Sequence, residues 1–411
     1  MKPANIITTI DIGSSNIRTV IGYFDSEGSH SFHVLGIGSV ASQAMRKGNI
    51  LDMEEFKSNL DASLEEAEKM SGEQVNGAYI SFNSSSLEVI RNQGVVAVSG
   101  GEITDEDIER SLDMVRNGVD MPNREILKVI PETFSVDLED GVKNPLGMSG
   151  RKLEVVANIF SMNANLLGNI KKAVTDIGIQ IYDVYPNLLT GAEAVLSKRQ
   201  KELGTVCIDI GSSTTGVSVY EEGVLIFSSL IPIGGDSVTN DVALGLRTST
   251  AVAEKLKCEY AELGLEKREN YTDTPIDLST LDIGEESQLS PLYLSQIVTA
   301  RYEEIFHFVR QELKKINRDG MLPEGAVCIG GGSKIKGFLD TAKESLRLPV
   351  FIGLPVSQDQ IVDAAMSDPS YASVIGTMIL ADKYGSDKKM FSINVGGFVT
   401  SITNLFKKLL P

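Results

Sequence analysis

The chain has 411 residues, of which 42% are hydrophobic and 23% charged, and its formal net charge is −18. This length allows two domains, each with a hydrophobic core of its own. Because nucleic-acid binding needs a basic surface that pairs with phosphates, such an acidic chain is not expected to bind free nucleic acid.

The first residues, MKPANIITTIDIG, pass directly into a strand-like run. No basic segment followed by an apolar segment precedes it, so we expect no secretory signal. No run of 18 apolar residues occurs anywhere, so we expect no transmembrane helix. The three cysteines, Cys207, Cys258 and Cys328, are widely spaced, and their odd number favours reduced, buried thiols of a cytosolic protein over disulfide bonds.

The hexapeptide IDIGSS occurs twice, at residues 10–15 and again at 208–213. Each copy lies within a run rich in β-branched residues, 6–24 and 205–229, which indicates a strand, a tight turn and a second strand. A repeat interval of roughly 200 residues is too long for a solenoid. The repeat therefore predicts two related domains that open with the same hairpin.

Both predicted turns have the chemistry of a phosphate site. Gly13 and Gly211 allow a turn whose successive backbone N–H groups point inward, and the neighbouring hydroxyl groups add donors. The aspartate before each turn can hold a hydrated Mg²⁺ that bridges to the phosphates. One copy alone could be an ordinary turn, but two facing copies would clamp a polyphosphate. The residues concerned are Asp11, Gly13, Ser14, Ser15, Asp209, Gly211, Ser212, Ser213 and Thr214.

A further glycine-rich segment, IPIGGDSVTNDVALGL, covers residues 231–246. Gly234 and Gly235 are followed by a helix-like pattern for which Asp236 or Ser237 is a suitable N-cap. We therefore expect a helix that starts beside the second hairpin.

The segment AVCIGGGSKIKGFLDTAKESL (326–346) predicts a strand, a glycine loop and an amphipathic helix. Gly331, Gly332 and Ser333 would place bare backbone at a helix N-terminus, where a nucleotide can approach closely. The chain contains neither G-x-x-x-x-G-K-[ST] nor G-x-G-x-x-G, so it has no P-loop or Rossmann fingerprint.

The order of two phosphate hairpins, a GG helix and a GGGS loop resembles the actin, Hsp70 and sugar-kinase superfamily. More narrowly, nearly the whole chain resembles the FtsA family of bacterial cell-division proteins. The segment ILKVIPETFSVDLEDGVKNPLGMSGRKLEVVANI (126–159) carries the pattern xHVIPQxYxxDxxxGIKNPxGMSGxxLE of that family. Further matches are LIPIGGDSVTNDVA (230–243), RYEEIF (301–306) and DPSYASVIG (368–376).

The resemblance implies an α/β, two-lobed, actin-like ATPase fold with a family-specific α+β subdomain inserted in the first lobe. Within that subdomain, Thr104 and Asp107 are placed as the capping box of a helix. The implied first lobe covers residues 1–81 and 163–203, with a return at 358–384, and the inserted subdomain covers 82–162. The implied second lobe consists of a phosphate hairpin at 204–236, a helical subdomain at 237–322 and an adenosine loop at 323–357. A flexible linker at 385–397 and an amphipathic helix at 398–411 would end the chain.

The resemblance also implies that ATP and Mg²⁺ are the cofactors. The two hairpins match phosphate loops, and Asp11 and Asp209 match the residues that hold Mg²⁺ through water. The residues matched to ribose, base or adenosine are Gly234, Gly235, Glu254, Lys257, Gly331, Gly332 and Ser333.

The two hairpins depart from the family pattern. Many relatives have lysine where this chain has Asn16, which we include among the cofactor-binding residues. Arg18 stands two residues further along the same strand, so it points to the same side about 7 Å away. The second loop is DIGSSTT where many relatives have DIGGGTT.

Glu193, in GAEAVLS (191–197), is the candidate for orienting the attacking water. It resembles the QAVLS stretch in which actin places its water-orienting glutamine, and a glutamate there can orient or activate water. The alternative is a glutamate that faces solvent or the hinge between the lobes. With Asp11 and Asp209 it forms the predicted catalytic set, for which we expect weak ATPase activity at most.

The family resemblance implies self-polymerisation and an anchoring role for FtsZ at the cytoplasmic face of the cell membrane during division. The C-terminal peptide of FtsZ would dock near residues 294–317, where Arg301 and Glu304 match positions used for it; this acidic, apolar peptide would pair with a cation. Other division proteins would bind the inserted subdomain. The alternatives are a PilM-like adaptor of a type IV pilus system and a small-molecule kinase of the same superfamily.

The end of the chain predicts a membrane-binding helix after a Gly/Ser/Lys-rich linker. The segment FVTSITNLFKKLL (398–410) has its apolar residues on one helical face. A helix of ~13 residues is ~20 Å long, too short for a ~30 Å bilayer core, so it would lie in the interface; docking on the protein itself is the alternative. The membrane-facing residues are Phe398, Val399, Ile402, Leu405, Phe406, Leu409 and Leu410, with Lys407 and Lys408 against anionic lipid.

Overall fold

The computed structural model describes most of the chain. The predicted linker (385–397) and membrane helix (398–411) lie outside the described residues, as does the beginning of the predicted return segment. In the described part, no helix combines the length and the hydropathy needed to cross a bilayer. The described residues are 6–25, 32–269, 271–278, 288–355 and 367–384.

Strands account for much of both halves of the chain. Those of the first half are β1 (Ile6–Ile12), β2 (Asn16–Phe24), β3 (Phe32–Ala41), β4 (Met45–Arg46), β5 (Asn49–Ile50), β6 (Gly77–Phe82), β7 (Glu88–Ala97), β8 (Arg124–Val136), β9 (Glu139–Val142), β10 (Lys152–Asn163) and β11 (Gln180–Pro186). Those of the second half are β12 (Thr205–Ile210), β13 (Thr215–Glu221), β14 (Val224–Ile231), β15 (Ile276–Asp277), β16 (Gln288–Leu289), β17 (Ala326–Ile329) and β18 (Val350–Ile352).

Helices cover the sheets and connect their strands. The α-helices are α1 (Met53–Ser71), α2 (Asp105–Asn117), α3 (Ala164–Asp176), α4 (Asn187–Val195), α5 (Lys198–Leu203), α6 (Gly235–Leu246), α7 (Thr250–Tyr260), α8 (Pro291–Lys315), α9 (Phe338–Leu346) and α10 (Ala372–Tyr384). Short 3₁₀ helices cover Leu265–Lys267, Gly331–Lys334 and Pro369–Tyr371.

Two five-stranded sheets share one topology. The first has the order β11-β6-β1-β2-β3 and the second, taken in the same direction, β18-β17-β12-β13-β14. In each, a hairpin (β1–β2 or β12–β13) has an antiparallel strand on one side and two parallel strands on the other. This identity confirms the duplication predicted from the repeated IDIGSS, because the two copies occupy equivalent hairpins.

The helix α4 lies at the boundary between the two lobes. It packs closely on α10, where a Cβ added to Gly376 would come within 1.7 Å of the Thr190 carbonyl oxygen, so only glycine permits this approach. On the other side, the Ser218 hydroxyl of β13 donates a 2.8 Å hydrogen bond to the Leu188 carbonyl of α4. The first turn of α4 is therefore in contact with elements of both lobes.

A separate four-stranded sheet, β7-β10-β8-β9, forms the inserted subdomain with α2 on one face. The capping box predicted for α2 is confirmed: the Asp107 N–H donates to the Thr104 hydroxyl and the Thr104 N–H donates to the Asp107 carboxylate. This unit has its own core, in which Leu112, Phe134 and Val155 are fully buried.

The inserted subdomain contacts both lobes. Lys128 of β8 forms an ion pair of 2.5 Å with Asp183 of β11 in the first lobe. The buried Asn158 side chain of β10 donates a 3.0 Å hydrogen bond to the Leu225 carbonyl of β14 in the second lobe.

Candidate functional site

The turn between β1 and β2 and the turn between β12 and β13 line one cavity of about 520 Å³. Each turn closes in the same way, because the Gly13 N–H donates to the Asn16 carbonyl at 3.0 Å and the Gly211 N–H donates to the Thr214 carbonyl at 2.9 Å. A Cβ on Gly13 would lie 2.6 Å from that Asn16 oxygen. The first turn therefore requires glycine for a steric reason.

Most residues predicted from the sequence to bind a cofactor line this cavity. They are Asp11, Gly13, Ser14, Ser15, Asn16, Asp209, Gly211, Ser212, Ser213, Thr214, Gly235, Glu254, Lys257, Gly331 and Gly332. Arg18 lines the cavity together with Asn16, as expected for two residues on the same face of a strand.

Asp11 and Asp209 are the next-to-last residues of the equivalent strands β1 and β12 and line the same cavity. Burial, together with the charge of Asp11, raises the pKa of the Asp209 carboxyl to about 7, although the Arg18 charge opposes the shift. Burial also raises the pKa of Asp11, against the Arg18 charge and a hydrogen bond from Asn187. Two carboxylates that interact in a shielded cavity favour a cation between them.

Asn83 and Asn187 also line the cavity and were missed by the sequence reasoning. The Arg18 Nε, the Asn83 Oδ1 and the Asn187 Oδ1 are buried and have no hydrogen-bond partner in the described part of the chain. Because buried polar atoms are normally paired, they indicate a polar ligand. The signal for Asn187 was its place directly after β11, since residues at the carboxyl ends of parallel strands gather at one edge of a sheet.

The glycine loop after β17 packs against β12, the first strand of the second hairpin. A Cβ on Gly332 would lie 2.4 Å from the Ile210 Cγ2, whereas a Cβ on Gly331 would meet nothing within 4 Å. Gly331 therefore offers open backbone to the cavity. Ser333, predicted to face the ligand, instead donates a buried 2.8 Å hydrogen bond to the Gly330 carbonyl.

The helix α6 begins two residues earlier than the earlier of its two predicted caps, Asp236, would allow. Gly234 is the N-cap, and a Cβ there would lie 2.6 Å from the Gly211 carbonyl oxygen, so Gly234 packs on the hairpin and does not line the cavity. Asp236, predicted as a possible cap, accepts a 2.6 Å hydrogen bond from the Ser213 hydroxyl. The start of α6 is thus bonded directly to the turn between β12 and β13.

A polar network on α7 forms another wall of the cavity. Lys257 pairs with Glu254 at 2.6 Å and donates to the Thr239 hydroxyl at 2.9 Å. Cys258 also lines the cavity and donates to Glu254. The prediction that all three cysteines are buried is therefore wrong for Cys258, although Cys207 and Cys328 are buried.

Glu193 does not line the cavity, and the prediction that it orients water is corrected here. Its carboxylate is held between the ammonium groups of Lys201 and Lys383. Burial opposes ionisation, but the two positive charges outweigh it and lower the pKa of Glu193 to about 2. The reason is helical geometry: at 100° per residue, Glu193 lies ~240° around α4 from Asn187, which faces the cavity.

Arg301 and Glu304, the predicted partner residues, lie outside the cavity on α8. The Arg301 guanidinium binds Asp241 of α6 through two hydrogen bonds of 2.5 and 2.9 Å and also contacts Glu304. Leu244 of α6 is 78% exposed beside this pair of helices, and Tyr293 of α8 is 46% exposed. The two helices therefore offer an outer surface with apolar and charged groups.

Two family models match the chain. "Cell division protein FtsA" matches residues 206–376 and "SHS2 domain inserted in FTSA" matches residues 84–161. The cell division protein FtsA of Pseudomonas aeruginosa is 30% identical, over 96% of this chain and 93% of its own length. FtsA of Bacillus subtilis is 30% identical over 93% and 84%, and FtsA of Escherichia coli 25% identical over 98% and 98%.

Solved structures with the same fold include the PilM-PilN type IV pilus biogenesis complex, with a TM-score of 0.66 and 13% identity over 92% of this chain and 99% of that one. MreB5 of Spiroplasma citri bound to ADP has a TM-score of 0.52 and 16% identity over 92% and 96%. At these identities the likeness concerns the fold alone. It confirms the predicted two-lobed, actin-like architecture.

Proposed function

The chain belongs to the FtsA family of bacterial cell division proteins, and from this premise we propose that it is an ATP-binding, self-polymerising protein that anchors FtsZ to the cytoplasmic membrane. The observation that carries the proposal is the pair of equivalent hairpins facing one cavity. Such a pair presents inward-facing amides and hydroxyls from both lobes to a polyphosphate. As a bound cation, Mg²⁺ would neutralise phosphate charge beside Asp11 and Asp209.

The residues of the cavity fit a nucleotide. The unpartnered Arg18 Nε is a donor for phosphate oxygens, and Gly331 leaves backbone open on the side assigned to adenosine. Burial acts to raise the pKa of Glu254, but the charge of Lys257 and the hydrogen bonds outweigh it, so the pKa lies below its usual value. Glu254 is therefore ionised at neutral pH and can accept hydrogen bonds from ribose hydroxyls.

The outer surface of α6 and α8 is suited to the C-terminal peptide of FtsZ. Leu244 offers an exposed apolar contact. Arg301 is already paired with Asp241 and Glu304, so an acidic peptide group would take the place of Glu304 while the two-bond contact with Asp241 stays. An exchange of one carboxylate for another favours specificity over raw affinity.

Membrane attachment is assigned to residues 398–411, whose amphipathic pattern fits an interfacial helix. One short helix binds weakly and reversibly, but many copies along a filament multiply the avidity. Polymerisation and membrane attachment should therefore be linked. Recruitment of other division proteins is assigned to the inserted subdomain at 84–161, which contacts both lobes.

Co-sedimentation with anionic liposomes, FtsZ and Mg²⁺-ATP tests the proposal. The full chain should carry FtsZ into the pellet, and deletion of 398–411 should leave both proteins in the supernatant. Leu244→Ser should release FtsZ while the chain itself still pellets. The matched control is Leu138→Ser, at a side chain that is 98% exposed on the inserted subdomain. It should leave the pelleting of both proteins unchanged. Failure of the full chain to pellet FtsZ, or undiminished pelleting after the deletion, refutes the anchoring role.

A further inference from the structure

Neighbouring residues of α8 face two different places. Arg301 binds Asp241 on the outer side, beside the surface proposed for the peptide. Tyr302 is buried and lines the cavity. Its hydroxyl donates a 2.7 Å hydrogen bond to the Gly332 carbonyl of the glycine loop. Two consecutive residues of α8 therefore reach the proposed peptide surface and the nucleotide cavity.

Tyr302 is firmly positioned for this contact. Its ring packs edge-on against Phe338 at 6.1 Å between centroids and in a tilted arrangement against Phe306 at 6.2 Å. Phe338 is the first residue of α9, the helix that follows the glycine loop. Burial raises the pKa of Tyr302, so its hydroxyl keeps its proton and remains a donor.

A second connection runs through α6. The Gly235 N–H donates to the Gly211 carbonyl and the Asp236 N–H donates to the Ser212 carbonyl, at 2.9 and 2.6 Å. About one and a half turns later, the same helix presents Asp241 to Arg301. The phosphate turn is thus joined to α8 by one rigid helix.

These contacts form a closed ring. It runs from the second hairpin along α6 to Asp241 and from there to Arg301 and Tyr302 of α8. Tyr302 leads to Gly332, which packs directly on Ile210 of β12 in the same hairpin. A nucleotide that bridges the hairpin and the glycine loop fixes two points of this ring. It therefore sets the spacing of α6 and α8 on the far side.

We propose that Tyr302 is a positioning residue that couples the two sites, so that nucleotide and peptide each bind more tightly when the other is present. The inference rests on the proposed function, because it takes α6 and α8 as the peptide surface. Coupling of this kind is reciprocal. Removing the Tyr302 hydroxyl should cut the link at Gly332 while the aromatic packing remains.

The test is a binding cycle by titration calorimetry on the full chain. The ligands are a synthetic FtsZ C-terminal peptide and Mg²⁺ with a non-hydrolysable ATP analogue. For the unmodified chain, saturating analogue should tighten peptide binding about tenfold. In Tyr302→Phe this ratio should fall to about one, while the nucleotide-free affinity for the peptide and the thermal midpoint stay close to those of the unmodified chain.

Tyr293→Phe is the matched control. It removes a hydroxyl from the same helix, one that donates to the Gly245 carbonyl and not to the glycine loop, so the ratio should persist whatever happens to the affinity. An unchanged ratio in Tyr302→Phe, or equal peptide affinities with and without the analogue, overturns the coupling alone. Absence of peptide binding in both states overturns the proposed peptide surface and the coupling with it.

Discussion

The side-chain amide of Asn187 donates a 2.8 Å hydrogen bond to Oδ1 of Asp11. This contact joins the first residue of α4 to the end of β1, inside the cavity formed by the two hairpins. Because α4 is bonded to both lobes, the orientation of the Asp11 carboxylate depends on where that helix lies. Asn187 thereby fixes the direction of the carboxylate proposed to face Mg²⁺.

Asn187→Ala should weaken Mg²⁺-dependent ATP binding about tenfold or more, because hydrogen bonds to charged groups contribute roughly 1.5–3 kcal/mol. Titration with a fluorescent ATP analogue, with and without Mg²⁺, measures the effect, which should be larger with Mg²⁺. Asn158→Ala deletes another buried amide, bonded to Leu225 outside the cavity, and should leave the affinity within about twofold of the unmodified value. Equal losses in both variants would contradict a specific role for Asn187.

Cys258 should report nucleotide binding without any engineered label. It lines the cavity, whereas the other two cysteines are buried, so a thiol reagent should modify one cysteine in the folded protein and three after denaturation. Burial and the nearby Glu254 raise the pKa of Cys258, so modification should be slow at pH 7 and faster at higher pH. Saturating Mg²⁺-ATP should slow it at least about fivefold, because a bound ligand excludes the reagent.

Two observations would count against this use of Cys258. Reactivity that persists in Cys258→Ser would mean that a buried thiol becomes exposed by local opening. An unchanged rate with saturating ATP would mean that the nucleotide does not cover this wall of the cavity.

Local sequence patterns predicted the hairpins because glycine, hydroxyl residues and flanking β-branched runs act over a few positions. They also predicted the glycine loop, the duplication and the α2 capping box. Glu193 shows where such reasoning ended. The resemblance to an actin segment assigned the orientation of water to Glu193. Which side of a helix a residue faces depends on where that helix begins, and α4 begins at Asn187.

The partners of Glu193 could not be predicted either. Lys201 lies 8 residues away on another helix and Lys383 lies 190 residues away. Such pairings follow from tertiary packing and leave no periodic trace in the sequence. The same holds for Tyr302, which the sequence showed only as one residue of the RYEEIF segment (301–306).

Glu193 should contribute to stability in a pH-dependent way. Its pKa is lowered from 4.5 to about 2 in the folded chain, so its contribution is complete above about pH 4.5 and is lost as the pH falls towards 2. Glu193→Gln should lower the free energy of unfolding by about 3 kcal/mol at pH 7, because it removes the carboxylate charge that lies between the partly buried ammonium groups of Lys201 and Lys383. Urea unfolding at pH 7, 5 and 3 measures the difference between the two proteins.

The difference should be constant from pH 7 to 5 and smaller at pH 3. Glu202→Gln is the matched control, because Glu202 pairs with Lys143 at the exposed surface and should matter by less than about 1 kcal/mol. A difference between Glu193→Gln and the unmodified chain that grows on acidification would contradict the sign derived from the lowered pKa.

Substitutions at Gly331 and Gly332 should separate an effect on ATP binding from an effect on stability. A Cβ on Gly331 meets open space, while one on Gly332 would collide with the Ile210 side chain at 2.4 Å. Gly331→Ala should therefore keep the thermal midpoint and weaken ATP binding about tenfold or more, since the methyl group occupies ligand space. Gly332→Ala should lower the free energy of unfolding by about 1–3 kcal/mol, as overpacking does. Thermal unfolding and ATP titration of both variants test the pair, and full ATP affinity in a stable Gly331→Ala protein would place the nucleotide elsewhere.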